Sequence, residues 1–101
     1  MYIVHSVFDV PEEKADEVID IYKNRTGSVD KWPGFIDFKL LQNERKVGEL
    51  TVEICWDTKD SYLNWVTSDE YQKIHELEKK YPDKELAGIV PKVHKYKVVA
   101  K

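Results

Sequence analysis

Seven residues near the middle of the chain, Leu50-Thr-Val-Glu-Ile-Cys-Trp56, alternate strictly between large apolar side chains and smaller or charged ones. A period of two fits an extended strand, whose neighbouring side chains point to opposite faces, whereas a helix repeats every ~3.6 residues. Leu50, Val52, Ile54 and Trp56 therefore share one face, and Thr51, Glu53 and Cys55 share the other. A strand with one apolar face demands a sheet and a second layer to cover it. Other segments supply the sheet. Tyr2 to Phe8 places Tyr2, Val4, Ser6 and Phe8 on one side and Ile3, His5 and Val7 on the other. Phe35 to Leu41 follows a Trp32-Pro33-Gly34 turn, and the polar Gln42 to Lys46 connects it as a hairpin to a strand spanning Val47 to Trp56. Val93 to Val99 is the last strand.

The covering layer is helical. Pro11 opens a first helix, with Asp9 as its cap and Glu12 and Glu13 at the positive end of its dipole. Ala15, Val18, Ile19 and Tyr22 recur at helical spacing, Glu17, Asp20 and Lys23 face water, and Gly27 ends the helix. Asp57 or Thr58 caps a short helix through Trp65. Thr67 and Glu70 stand at capping-box spacing and start a further helix through about Lys80, with Tyr71, Ile74, Leu77 and Tyr81 as its buried stripe and Pro82 as its stop. The order β-α-β-β-α-β predicts an α+β, ferredoxin-like fold. With 101 residues the chain is expected to form a single domain over 1–101. Helices on one side leave the other sheet face, with its apolar side chains, uncovered, and a second copy closing a shared barrel is the simplest cover.

Composition narrows the function. A net charge of −3 argues against a nucleic-acid platform. No run reaches the ~20 apolar residues of a membrane span, and Met-Tyr-Ile-Val-His does not read as a secretory leader. The lone Cys55 forms no internal disulfide and has no neighbouring base, so the chain reads as cytoplasmic and reduced. No nucleophile elbow is present. The carboxylate pairs Glu12-Glu13 and Asp69-Glu70 and the cations Lys79-Lys80 sit at helix ends, where the helix dipole accounts for them. His5 and His94 lie in strands with no carboxylate or cysteine at ligand spacing, and the three histidines match no zinc pattern. His75 falls on the flank of its helical stripe, beside Tyr71. It is either a half-buried packing residue or a ligand aimed into a cleft. Trp56 and Trp65 read as core.

The segment CWDTKDSYLNWVTSDEYQKIH resembles the antibiotic biosynthesis monooxygenase superfamily, and most closely its haem-degrading, IsdG-like branch. The resemblance rests on Trp56, Trp65, Ser68-Asp69 and His75 in order, on the Pro33-Gly34-Phe35 step, and on Tyr22-x-x-Arg25-x-Gly27. It implies a homodimeric α+β barrel and a haem that is both cofactor and substrate. It also implies His75 as the axial ligand to haem iron, Trp65 pressing the porphyrin out of plane, Tyr22 lining the pocket and Arg25 meeting a propionate. The implied reaction opens the porphyrin with dioxygen and external electrons from a reductase, releasing iron. Where that branch usually has an Asn donating to bound oxygen from the first strand, this chain has Ser6, whose hydroxyl is shorter. Haem binding is thus better supported by the residues than haem degradation. A cofactor-independent, quinol-type monooxygenase of the same superfamily and a non-catalytic haem-binding or regulatory dimeric module are the alternatives.

Overall fold

The alternating run is a central strand. In the structure, a computed structural model that describes every residue except Thr26 and the side chain of Lys84, it forms β3 (Glu49–Trp56), flanked by β2 (Phe35–Gln42) and β1 (Tyr2–Asp9). The last strand, β4 (Lys92–Lys97), pairs with the outer side of β1, so the order is β2-β3-β1-β4 with every pair antiparallel. Helices α1 (Ala15–Lys23), α2 (Lys59–Val66) and α3 (Asp69–Lys79) complete the ferredoxin-like α+β arrangement, and a short α4 (Lys84–Ala87) precedes β4.

The sheet's helix-facing side carries two separate cores. One gathers Val4, Val29, Trp56 and Trp65, with Tyr62, Tyr71 and Ile74 packed against them. The other gathers Val10, Ala15, Val18 and Leu50, with Phe8, Ile19, Tyr22 and Leu40. Trp56 and Leu50 are wholly buried, each contributing roughly 2–3 kcal/mol by removal of apolar surface from water. Between the two cores runs the cross-strand row Leu40–Val52–Ser6–Val93, where β1 presents a hydroxyl instead of an apolar side chain.

Local chemistry moves several expected boundaries. Asp9 is not a cap: its carboxylate lies 3.3 Å from Lys46 Nζ, and Pro11 itself precedes a 3-10 turn, Glu12–Lys14, that leads into α1. Gly27 does not end α1, which stops at Lys23 where the Asn24 side chain donates to the Asp20 carbonyl. Instead Gly27, at φ 72°, opens a 3-10 turn, Ser28–Lys31. Thr67 is not the cap of α3. Its hydroxyl closes α2 by donating to the Leu63 carbonyl at 2.8 Å, and Ser68 caps α3 by accepting from the Tyr71 N–H. The hairpin connection runs 43–48, not 42–46, because Gly48 O accepts from Val10 N and draws those residues out of the ladder. The final strand ends at Lys97, short of Val99. The segment after Pro82 contains α4, too short to show a period, which Asp83 caps by accepting from Glu85 and Leu86 N–H groups.

The uncovered sheet face is less apolar than expected. Leu41 and Tyr96 are exposed on it, but its middle is a polar row, Lys39–Glu53–His5–His94, one residue from each strand. Glu53, at 2.8 Å from His5 Nε2, is the carboxylate partner that linear spacing did not reveal. The sheet separates His5 and His94 from His75, and among the described residues no group of three His, Cys, Asp or Glu converges on a metal position. No helix among them is long and apolar enough to cross a membrane.

Gly34 holds the corner between β2, β3 and α2. It sits at φ 87°, its carbonyl accepts from Asp57 N at 2.9 Å, and a Cβ there would collide with Ser61 Oγ and the Asp57 carboxylate. Gly34→Ala is expected to destabilise the fold by about 2–4 kcal/mol, read as a lowered urea midpoint with unchanged slope.

Candidate functional site

The site is built outward from Trp65, buried at the end of α2. Ser68 Oγ donates to the Trp65 carbonyl while accepting from Tyr71 N–H, so one hydroxyl ends one helix and begins the next. The register of α3 follows. Tyr71 and Ile74 pack on the first core, and His75 lies against Tyr71 with ring centroids 4.4 Å apart. Despite an apolar flank, α3 has no fully buried residue: it rests on the protein by its first turns and stands open beyond them. Leu77, expected in the buried stripe, is 70% exposed, because the packed stripe ends at Ile74 and residues 76–80 are all exposed.

His75 borders an open groove of about 320 Å³ lined by Val66, Tyr71, Gln72, Glu76 and Lys79. Its Nδ1 lies 3.9 Å from Glu78 Oε2, and among the described residues its Nε2 has no hydrogen-bond partner. A larger hollow of about 520 Å³ lies at the far end of α3, between Lys79, Lys80, Tyr81 and the turn through Gly88. It contains none of the expected site residues and arises where the chain folds back from α3.

The expected residues fall into two groups. Trp65 joins His75 only through Tyr71: it packs edge-on to Tyr71 at 5.8 Å and to Trp32 at 5.2 Å, and is itself 5% exposed. Tyr22 on α1 stacks on Phe8 and lies 6.2 Å from Phe38, whose other contact is the Arg25 guanidinium, 3.7 Å from its ring centroid. Arg25 is also engaged with Asp30 through both terminal nitrogens, at 2.8 and 3.1 Å. Ser6 stands on the floor between the two cores, half-buried, its hydroxyl without a partner among the described residues.

Glu78, absent from the sequence reading, links the two groups electrically. Burial pushes the Tyr22 phenol up to about 12, and the Glu78 charge adds to that shift. Burial also raises Tyr71, with smaller contributions from Tyr62 and Glu78. The protein around Glu78 displaces enough water to hold its carboxyl above the ordinary carboxylate range, while nearby His75 pulls it down. Its side chain nonetheless keeps 61% of its surface open, as for a group lining an open cleft instead of a packed core. The signal that could have revealed it was an acid one turn after His75.

Residues 1–77 match the family described as antibiotic biosynthesis monooxygenase. A protein of Halalkalibacterium halodurans named heme-degrading monooxygenase is 29% identical over 77 residues, which span 74% of this chain and 66% of that protein. The structure of the heme-degrader MhuD from Mycobacterium tuberculosis, with two hemes bound in its active site, superposes with a TM-score of 0.79 at 17% identity, covering 100% of this chain and 98% of that one. The Streptomyces coelicolor monooxygenase ActVA-Orf6, in complex with nanaomycin D, reaches the same TM-score at 14% identity, over 99% of this chain and 88% of that one. At such identities the two structures establish a shared fold.

The raised Tyr22 pKa carries a sign. The folded state holds the phenol proton more tightly than the unfolded chain, so this contribution is complete below pH ~10 and is lost as pH rises toward 12. Urea midpoints measured from pH 9 to 12 are expected to fall more steeply for the native chain than for Tyr22→Phe, with about 2–3 kcal/mol at stake.

Proposed function

The chain belongs to the antibiotic biosynthesis monooxygenase family, and we propose that it is a haem-binding monooxygenase of the haem-degrading kind. It would use dioxygen and electrons from a separate reductase to open the porphyrin and release iron. The observation that carries this reading is His75: a half-buried imidazole with an unpartnered Nε2, beside a groove, on a helix with no fully buried residue. The name of the relative at 29% identity supports it.

The residues present fit a haem. His75 Nε2 would ligate the iron, and Tyr71 holds the imidazole in place through its ring contact. Tyr22 lines the α1 wall as a neutral phenol. Trp65 lies behind Tyr71, so any pressure it exerts on the porphyrin is passed on through that ring. Arg25 can meet a propionate with the charge it now shares with Asp30, and Phe38 beneath it keeps the guanidinium flat. Ser6 offers a hydroxyl on the floor of the cleft, the donor available where oxygen is handled, and its short reach makes it the step most sensitive to substitution. Haem held there supplies the iron at which dioxygen is activated and is itself the molecule consumed.

We place the 1–101 chain as one unit of a homodimer, with the mixed sheet face carrying Leu41, Tyr96 and the His5–Glu53 pair turned toward the second copy. A cofactor-independent, quinol-type monooxygenase is the second reading, favoured by the likeness to the nanaomycin D complex and by Ser6. A non-catalytic haem-binding module is the third.

Hemin titration separates them. The native chain is expected to shift the Soret band with an endpoint of one haem per chain, and His75→Ala to weaken binding at least tenfold. An unchanged spectrum on adding hemin removes haem and leaves the quinol-type reading. Adding ascorbate in air then bleaches the band if the chain degrades haem, and a persistent band marks binding without turnover.

A further inference from the structure

We propose that Glu78 is a positioning residue for His75: its carboxylate accepts the Nδ1–H, fixes the tautomer that presents Nε2 to haem iron, and makes that nitrogen a stronger donor. This rests on the haem reading above. Three observations place Glu78 in the role. The first is register. On α3 Glu78 lies one turn beyond Ile74 and His75, and its carboxylate is close enough to Tyr71 and to Tyr22 on α1 to act on both phenols, with 61% of its side chain open.

The second is distance. Glu78 Oε2 lies 3.9 Å from His75 Nδ1, an ion-pair distance that must shorten to about 3 Å for the hydrogen bond to form. Contacts of this kind are commonly long before the ligand arrives. The third is the lack of any competing cation. Among the described residues no Lys or Arg pairs with Glu78, whereas Glu70 on the same helix has Lys73 at 3.9 Å. The groups that face Glu78 are His75 and Tyr71 on its own helix and Tyr22 across the cleft on α1. Of these, His75 alone can carry positive charge. Metal-bound histidines regularly donate their second ring N–H to a carboxylate, which orients the ring and raises its basicity.

A more basic ligand favours ferric over ferrous iron. The test loads the native chain, Glu78→Gln and Leu77→Gln with hemin at one fixed pH. It then measures the ferric/ferrous midpoint by spectroelectrochemistry and the iron–histidine stretch of the ferrous form by resonance Raman. Glu78→Gln is expected to move the ferric/ferrous equilibrium toward ferrous by about tenfold, about 59 mV, and to lower the stretch frequency. Hemin affinity should fall about tenfold. Leu77→Gln, one residue away and outward-facing, should match the native chain in all three. Equal potentials and equal stretch frequencies in Glu78→Gln and native protein, with haem bound through His75, overturn the proposal while leaving the haem reading intact. No Soret shift in the native chain overturns both.

Discussion

The corner at the end of β3 governs everything downstream of it. Trp56 is completely buried there, edge-on to Phe35 and Tyr62, and is the last residue of the strand. The chain turns at Asp57, whose N–H bonds to Gly34, and Thr58 caps α2 by accepting from Ser61 N–H. The length of α2 then delivers Trp65 back into the core that holds Trp56. From Trp65, one serine hydroxyl sets the first turn of α3 and with it the direction of His75. A displacement at the corner would therefore reach the imidazole through two helices, with no contact between the two places.

The same geometry explains why there is a cleft. Two cores, one around Trp56 and Trp65 and one around Leu50 and Val18, are both well packed, yet they do not merge. The row between them carries Ser6 on β1, and α3 continues past its packed first turns without burying a residue. Further along, α3 is tied back to α1 by polar contacts: Tyr81 donates to Glu17 at 3.1 Å, and Lys14 reaches both Asp83 and Glu85 at 2.8 Å. Polar ties at the far end and apolar packing at the near end hold the helix in place, with an open groove along its Gln72–His75–Glu76–Lys79 side. His75 borders that groove and Glu78 lies 3.9 Å from it, both at the edge of solvent.

Much of this was legible in the sequence because it follows from period and punctuation. The alternation from Leu50 to Trp56 specified the face of every β3 residue, and the Ala15–Val18–Ile19–Tyr22 spacing specified the inner side of α1. His75 could be singled out by its place on the stripe's flank. Where two neighbouring residues offered similar chemistry, the linear reading chose wrongly. Thr67 and Ser68 both make good caps, and only the position of the Leu63 and Trp65 carbonyls decides between them. Leu77 looked buried because hydrophobicity predicts burial only when a surface is there to receive it.

The sequence by itself determined the order of the elements and the faces of the strands, since these depend on local spacing. Only the tertiary structure decided that Trp65 sits behind Tyr71, that Arg25 is shared with Asp30, that His5 has Glu53 for a partner, and that Leu77 is left exposed. Each of those is a contact between residues on different elements, or a helix rotation measured against the sheet. Such relations are set by how separate elements pack together, which the periodicity of the chain does not encode.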